Sequence, residues 1–447
     1  MDQEAVSALL RLLGEMRALP LDHPDRIRVE LAAHTLVRDG KRARRRARRR
    51  SAAQADAAVL AATAMGARDR VTDAPVREEP GAPGRLRTTR QCYVCQSRFD
   101  RVDGFYHRLC PSCAAYNKAR RTARTDLTGR WALVTGGRVK IGHHVALKLL
   151  HDGAHVTVTT RFPRDAARRF AEAGDWPGRL RIVGMDLRDP RQVIALTDRL
   201  TAGGEPLDIL INNAAQTLRR LPSAYAALLE GERPGLPPGA WSPPGFAPVP
   251  DGGAVSEGDT RSGDAASGGA VSPREGPRLP DVSGLLPDLS PRNSWSARIG
   301  EIDAAELLEV QLVNAVAPFL LIDRLLPLLR AAPAPRRYVV NVSAVEGQFT
   351  VADKTGRHPH TNMAKAGLNM LTRTSAADLA KEGIHMCSVD TGWITDENPL
   401  PKRESLDRRT PLDVIDGAAR VYDPIVRGES GHPVHGVFLK DYVAAPW

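Results

Sequence analysis

Aromatic residues are sparse in this chain of 447 residues, at 5% of the total. No apolar run reaches the roughly 18 residues a membrane-spanning helix needs, so no membrane segment is expected. The N-terminal MDQEAVSALLRLLGEM places acidic residues ahead of its apolar stretch and lacks the basic n-region of a signal peptide. A cytoplasmic protein is the expectation. Cysteine is rare as well: there are five, four of them in two CxxC pairs. That excludes a disulfide-dense scaffold, and in a reducing compartment it favours metal over disulfides.

Positive charge, by contrast, is abundant. Lys and Arg number 63 against 52 Asp and Glu, a net +11, and much of the excess precedes residue 125. Residues 1–70 read as a basic helical extension. An amphipathic helix over 2–19 carries Val6, Leu9, Leu10, Leu13 and Met16 along one side. A second helix, capped by Asp22 or Asp25, runs into KRARRRARRR at 41–50, and Ser51 caps an Ala-rich third. The Arg run suits the phosphates of a nucleic acid or an acidic protein. It equally suits a solvated helix face, and the lack of interleaved aromatics, which would stack on bases, favours that reading. Residues 71–89, with several Pro and Gly, read as a linker.

Residues 90–116 follow, with Cys92, Cys95, Cys110 and Cys113 spaced as CxxC, fourteen residues, CxxC. Two such knuckles bring four thiolates into the tetrahedron that zinc accepts, with no position left open, so a structural site is expected. A redox dithiol pair and disulfides are the alternatives. So small a unit buries too little apolar surface to fold alone, and metal would contribute its folding energy. The stretch resembles a zinc ribbon, and its closeness to the next domain suggests that it braces that domain.

Residues 127–447 form the largest unit. Trp131–Thr135 suit a strand buried on both faces, Gly136 and Gly137 a tight turn, and HHVALKLLHDGA a helix. This is the opening of a dinucleotide-binding βαβ unit, in which helix-start amides face a phosphate. Three more strands follow, ending at Arg161, at Asp186 and at Asn212–Ala215. With these residues in view the chain resembles the short-chain dehydrogenase/reductase family, which carries TGxxxGxG, an Asp and NNAG at these strand ends. The resemblance implies a doubly wound parallel sheet of about seven strands with helices on both faces. It also implies small-molecule substrates and a homodimer or homotetramer. Pro-, Gly-, Ser- and Asp-rich residues 222–293 interrupt it and are expected to be mostly disordered, as a surface insertion or a lid.

The resemblance assigns the cofactor to Thr135, Gly136, Gly137, Arg138, Lys140, Ile141 and Gly142, with Lys140 in a position usually held by glycine. A basic residue there is closer to the pteridine-reductase branch. Asp186 and Leu187 would flank an adenine. Asn212, Ala214 and Ala215 would line the path to the nicotinamide, and Gly392 would follow the sixth strand. Arg161 ends the second strand, where an acidic residue would select NAD(H); a basic one accommodates the 2′-phosphate of NADP(H). NADP(H) is therefore expected.

For catalysis the family uses Ser, Tyr and Lys with a supporting Asn. Lys365 and Asn314 match. Thr361 stands where Tyr belongs and Ala344 where Ser belongs, with Ser343 one residue earlier. A Thr hydroxyl is far less acidic than a phenol, so His358, His360 and Glu346 are the alternative proton carriers. Thr391–Gly392 stands for the usual PG, with Asp390 before it. Two functions follow from these features. One is an oxidoreductase moving a hydride between NADP(H) and a carbonyl, imine or activated alkene, with altered proton-transfer residues. The other is a catalytically inactive NADP(H)-binding regulator or scaffold whose ribbon and Arg-rich arm bind a partner.

Overall fold

The computed structural model describes residues 2–77, 81, 83–248, 279–406 and 409–447. The chain begins with helices α1 (Gln3–Ala18) and α2 (Pro24–Ala61). The expected break at Ser51 does not occur. Ala and Arg, both strong helix formers, flank it on each side and carry the helix through. The cap of α2 is His23, whose ring accepts from the Asp25 amide, not Asp22 or Asp25. The Arg run lies along the exposed face of α2, and α1 buries no residue. Asp56 anchors the end of α2 by accepting from the amides of Arg87 (2.6 Å) and Thr88 (3.1 Å).

Those two residues belong to β1 (Gly84–Gln91), which pairs antiparallel with β2 (Arg98–Val102) and precedes α3 (Pro111–Arg121). The cysteine unit thus starts inside the expected linker, since the polar strand β1 is held by pairing and by Leu86, 5% exposed. Its core of Leu86, Phe99, Phe105, Tyr106 and Leu109 continues into Ile394, Leu412 and Val414 of the large domain.

The large domain alternates β3 (Trp131–Thr135), α4 (Lys140–His151), β4 (His155–Thr160), α5 (Pro163–Ala173), β5 (Leu180–Gly184), α6 (Pro190–Gly203) and β6 (Ile209–Asn212). After α7 (Ala226–Glu232) come α8 (Ala304–Gln311), α9 (Ala317–Ala331), β7 (Arg337–Ser343), α10 (Pro359–Lys381) and β8 (Ile384–Asp390). Next are α11 (Leu400–Leu406), α12 (Val414–Glu429), β9 (Phe438–Lys440) and β10 (Val443–Ala445). Strand order is β10-β9-β8-β7-β6-β3-β4-β5. All neighbours are parallel except β10, which turns back on β9. The expected seven parallel strands are there, with one antiparallel edge strand added. The order in which successive strands are added reverses between β3 and β6, and at such a switch point the strand ends open a ligand crevice. One apolar core packs α4 and α12 on one face of the sheet, and another packs α6, α9 and α10 on the other. The stretch Ala304–Ala331 is long and apolar enough to cross a membrane by length and composition, but its Leu321, Leu325 and Leu329 lie in the second core.

Residues 249–278 of the expected disordered insertion lie outside the described residues. The remainder departs from that expectation because it finds partners on the domain. The Glu232 carboxylate accepts from the first amides of α5, at Arg164 and Asp165. Trp241 bonds to β5 through Ile182 and Gly184, and the Ser283 carbonyl accepts from Arg138 at 2.7 Å.

Candidate functional site

At the C-terminal ends of the strands lies a cleft of about 2660 Å³. Its floor is the glycine turn. Gly136 has φ +69°, and a Cβ there would meet Ala214 Cα at 3.0 Å; at Gly142 a Cβ would meet the Gly136 carbonyl at 2.2 Å. Neither position accepts a side chain as built. The Thr135 hydroxyl accepts from the amides of Asn213 and Ala214 at 3.0 Å each, and the Asn213 amide group donates to the carbonyls of Thr135 and Gly136. Thr135 therefore braces the turn from beneath and does not face the cleft. Asn213, which spacing did not single out, ties the end of β6 to the turn.

Lys140 also has a left-handed backbone, φ +53°, which explains why glycine suits this position. Its ammonium pairs with Asp73, from the stretch ahead of the ribbon, at 2.8 Å. Burial opposes the charge, but Asp73 and Glu397 outweigh it and hold Lys140 above the ordinary lysine value. Arg138 is buried, paired with Asp165 at 2.6 Å and stacked on Phe162. Both cations expected to meet a phosphate thus already have carboxylate partners. Arg161 is different. Its guanidinium lies 5.5 Å from the Phe162 ring centre and 5.0 Å from that of Tyr225, with Tyr225 Oη at 3.4 Å. Among the described residues it has no carboxylate partner, and it lines the cleft.

Asp186 holds Arg188 at 2.5 Å, and Leu187 lies beside it on the wall. Ala214, Ala215, Ile141 and Gly392 line the cleft. Asn212 does not, because its amide donates to Asn341 inside the sheet at 2.8 Å. Asn314 sits in a π-turn at Leu312–Val316 and is engaged by Gln216, accepting from its amide and donating to its carbonyl, both at 2.8 Å. Lys365 faces the cleft and donates to the Val342 carbonyl at 2.8 Å. Burial lowers it to about 8, with Glu346 partly opposing.

The expected proton carriers on α10 are not on the cleft wall. His358 stacks on Trp295 with ring centres 4.1 Å apart, and its Nδ1 meets the Trp295 carbonyl at 2.8 Å. Burial lowers its pKa below the ordinary imidazole value. His360 is buried against Glu306, 3.8 Å away. Among the described residues the Thr361 hydroxyl reaches only the Thr217 carbonyl, at 3.5 Å. All three pack α10 against neighbouring segments.

The ribbon also reaches the site. Tyr93 and Gln96 line the cleft, and the Tyr93 hydroxyl accepts from the Trp393 amide at 2.7 Å. No local signal marks Tyr93, since its partner lies 300 residues away. The four cysteine sulfurs lie within 4.8 Å of one another, with Cys95 and Cys110 at 3.7 Å. Zinc–sulfur bonds of about 2.3 Å in a tetrahedron set sulfurs about 3.8 Å apart, so this cluster could hold a zinc ion.

The short chain dehydrogenase family model matches residues 130–227, and the model described as enoyl-(acyl carrier protein) reductase matches 289–408. The chain belongs to the short-chain dehydrogenase/reductase family. An uncharacterized protein, R665, of Acanthamoeba polyphaga mimivirus is 32% identical over 365 residues, 75% of this chain and 71% of its own length. The short chain dehydrogenase/reductase dpmpG of Macrophomina phaseolina (strain MS6) is 35% identical over 98 residues, 22% of this chain; only 56% of that relative is spanned. NADPH-bound carbonyl reductase from chicken fatty liver is 20% identical, with TM-score 0.45 over 72% of this chain and 100% of its own. In this short-chain dehydrogenase/reductase the two family matches flank the insertion, and the ribbon lies ahead of both.

Proposed function

We propose that the protein transfers a hydride between NADP(H) and a small carbonyl, imine or activated alkene. The observation that carries this reading is Arg161, a cation on the cleft wall at the end of β4, set beside the stacked rings of Phe162 and Tyr225 and without a carboxylate partner among the described residues. A ribose 2′-phosphate is the natural anion for it. The glycine turn would take the pyrophosphate, Asp186 and Leu187 the adenine, and Lys365 the nicotinamide ribose. When bound, the dinucleotide supplies the hydride; the chain orients it and manages the proton. Cys92, Cys95, Cys110 and Cys113 would hold a structural zinc.

A second reading, an inactive NADP(H)-binding regulator, is favoured by the placement of His358, His360 and Thr361 away from the cleft. Turnover decides between the two. Zinc-loaded protein is incubated with NADPH or NADH and a panel of aldehydes, α-diketones, cyclic imines and enones, and absorbance of the reduced nucleotide is followed. The expected result is oxidation of NADPH, at least tenfold faster than NADH, with some members of the panel. No oxidation with any member would contradict the reductase reading.

A further inference from the structure

Two carboxyl groups on the cleft wall, Asp390 and Glu346, have no side-chain hydrogen-bond or ion-pair partner among the described residues, and Asp390 is the more buried of the two. Asp390 ends β8, is 6% exposed and lines the cleft. Among the described residues its carboxyl has no hydrogen-bond or ion-pair partner. Little of the side chain meets water, and a poorly solvated, unpaired carboxyl holds its proton more tightly than a free one. Burial pushes Asp390 up to about 7, Glu346 and Asp441 add to the effect, and Arg420 and Lys440 oppose it. At neutral pH the group is thus poised between acid and base. Tyr93 of the ribbon also faces it.

Asp390 has a neighbour in the same condition. Ser343 is its register partner on β7. Register partners on parallel strands project to the same face, with the strands about 4.8 Å apart. The Ser343 hydroxyl is buried without a hydrogen-bond partner among the described residues, and Ser343 lines the cleft. One residue earlier, the Val342 carbonyl holds the Lys365 ammonium. Two unspent polar groups therefore sit side by side at the ends of β7 and β8, where ligands bind in doubly wound sheets.

We propose that Asp390 is the proton donor of this site and that Ser343 orients the acceptor atom of the substrate. The assignment rests on the oxidoreductase reading above. In the reductive direction a hydride and its electron pair reach the electrophilic carbon of a C=O or C=N group. The π bond breaks, its pair moves to the oxygen or nitrogen, and that atom takes the Asp390 proton. The substrate gains one C–H and one O–H or N–H bond at the expense of the reduced dinucleotide. Asp390 is left as a carboxylate until water in the open cleft returns a proton. The oxidative direction runs in reverse, with the carboxylate as base.

The test compares full-length, zinc-loaded wild type with Asp390→Asn, using NADPH and the panel named above. A lost general acid lowers kcat/KM about 10²- to 10⁴-fold, while the NADPH dissociation constant stays within about threefold. The wild-type rate should fall as pH rises through about 7, where the acid form is lost, and the variant should lack this limb. Stability gives a readout independent of turnover. The folded-state value is raised from 3.8 to about 7, so ionising Asp390 costs stability progressively as pH rises across that window. Cofactor-free Asp390→Asn should melt above wild type at pH 7.5, with the gap closing toward pH 4. Variant turnover within threefold of wild type, or a melting gap independent of pH, would overturn the assignment. Wild type that turns over no panel member would overturn the reductase reading itself, and the assignment with it, before the variant is compared.

Discussion

Replacing Cys110 with serine is expected to strip zinc from the protein and to lower the melting temperature of the whole chain, not of the ribbon alone. The ribbon does not have a core of its own: its apolar residues share one cluster with Ile394, Leu412 and Val414. A buried charge network reinforces the join. Arg121 at the end of α3 pairs with Asp413 at 2.5 Å and with Asp416 at 3.1 Å. The Tyr106 hydroxyl donates to Asp416 at 2.5 Å. Asp413 in turn caps α12, accepting from the amides of Ile415 and Asp416. If the ribbon lets go, Asp413 and Asp416 are left as buried carboxylates without Arg121, and removing one partner of a buried pair costs about 3–5 kcal/mol. Metal loss and domain unfolding are thereby coupled. Calorimetry with zinc analysis tests this. A single transition shifted downward, with no bound zinc, is the expected result. Two transitions, the upper one at the wild-type temperature, would show that the ribbon is an independent appendage.

Lys365→Met is expected to abolish measurable turnover, by about 10²-fold or more if the ammonium serves as an electrostatic anchor in the transition state, while making the protein more stable at neutral pH. Burial lowers Lys365 from 10.5 to about 8. The cost of keeping it charged is fully present below pH 8 and is relieved as pH rises toward 10.5, because the unfolded chain holds the proton longer. That difference corresponds to about 3 kcal/mol, against about 1 kcal/mol for the donor lost by the Val342 carbonyl. The variant should therefore gain about 2 kcal/mol at pH 7, lose most of that gain by about pH 9.5, and be up to about 1 kcal/mol less stable above about pH 10.5, where only the lost hydrogen bond counts. Opposite signs for activity and stability separate a functional lysine from a structural one. Denaturant unfolding at pH 7 and 10 measures the second; a variant less stable than wild type at pH 7 would contradict it.

How much of this was legible in the sequence depends on how local each feature is. The strands β3 to β8 show in short apolar runs and the glycine turn shows in five letters, so the doubly wound sheet could be read directly. The cysteine spacing gave the cluster for the same reason. The position of Lys365 on α10 was also readable, but spacing from it pointed to Thr361 and His358 as cleft residues. The start of α10 instead packs against Trp295 and Ala297, beyond the insertion. Tertiary packing, not helix periodicity, decides which way those side chains face. Asp73 on Lys140 and Tyr93 at Trp393 bring the N-terminal unit into the site, and no local pattern signals contacts over such separations. Asp390 was visible as a letter before Thr391–Gly392; its burial and lack of a partner appear only once β8 lies beside β7 and β9.

Binding of NADP(H) in the cleft is proposed to run through Arg161. Its most direct test is a fluorescence titration of the zinc-loaded protein with NADPH and with NADH, repeated on Arg161→Ala. The predicted result is NADPH binding at least tenfold tighter than NADH, with the preference lost in the variant and NADH affinity unchanged. Equal affinity for the two nucleotides, or a preference that survives Arg161→Ala, would contradict it.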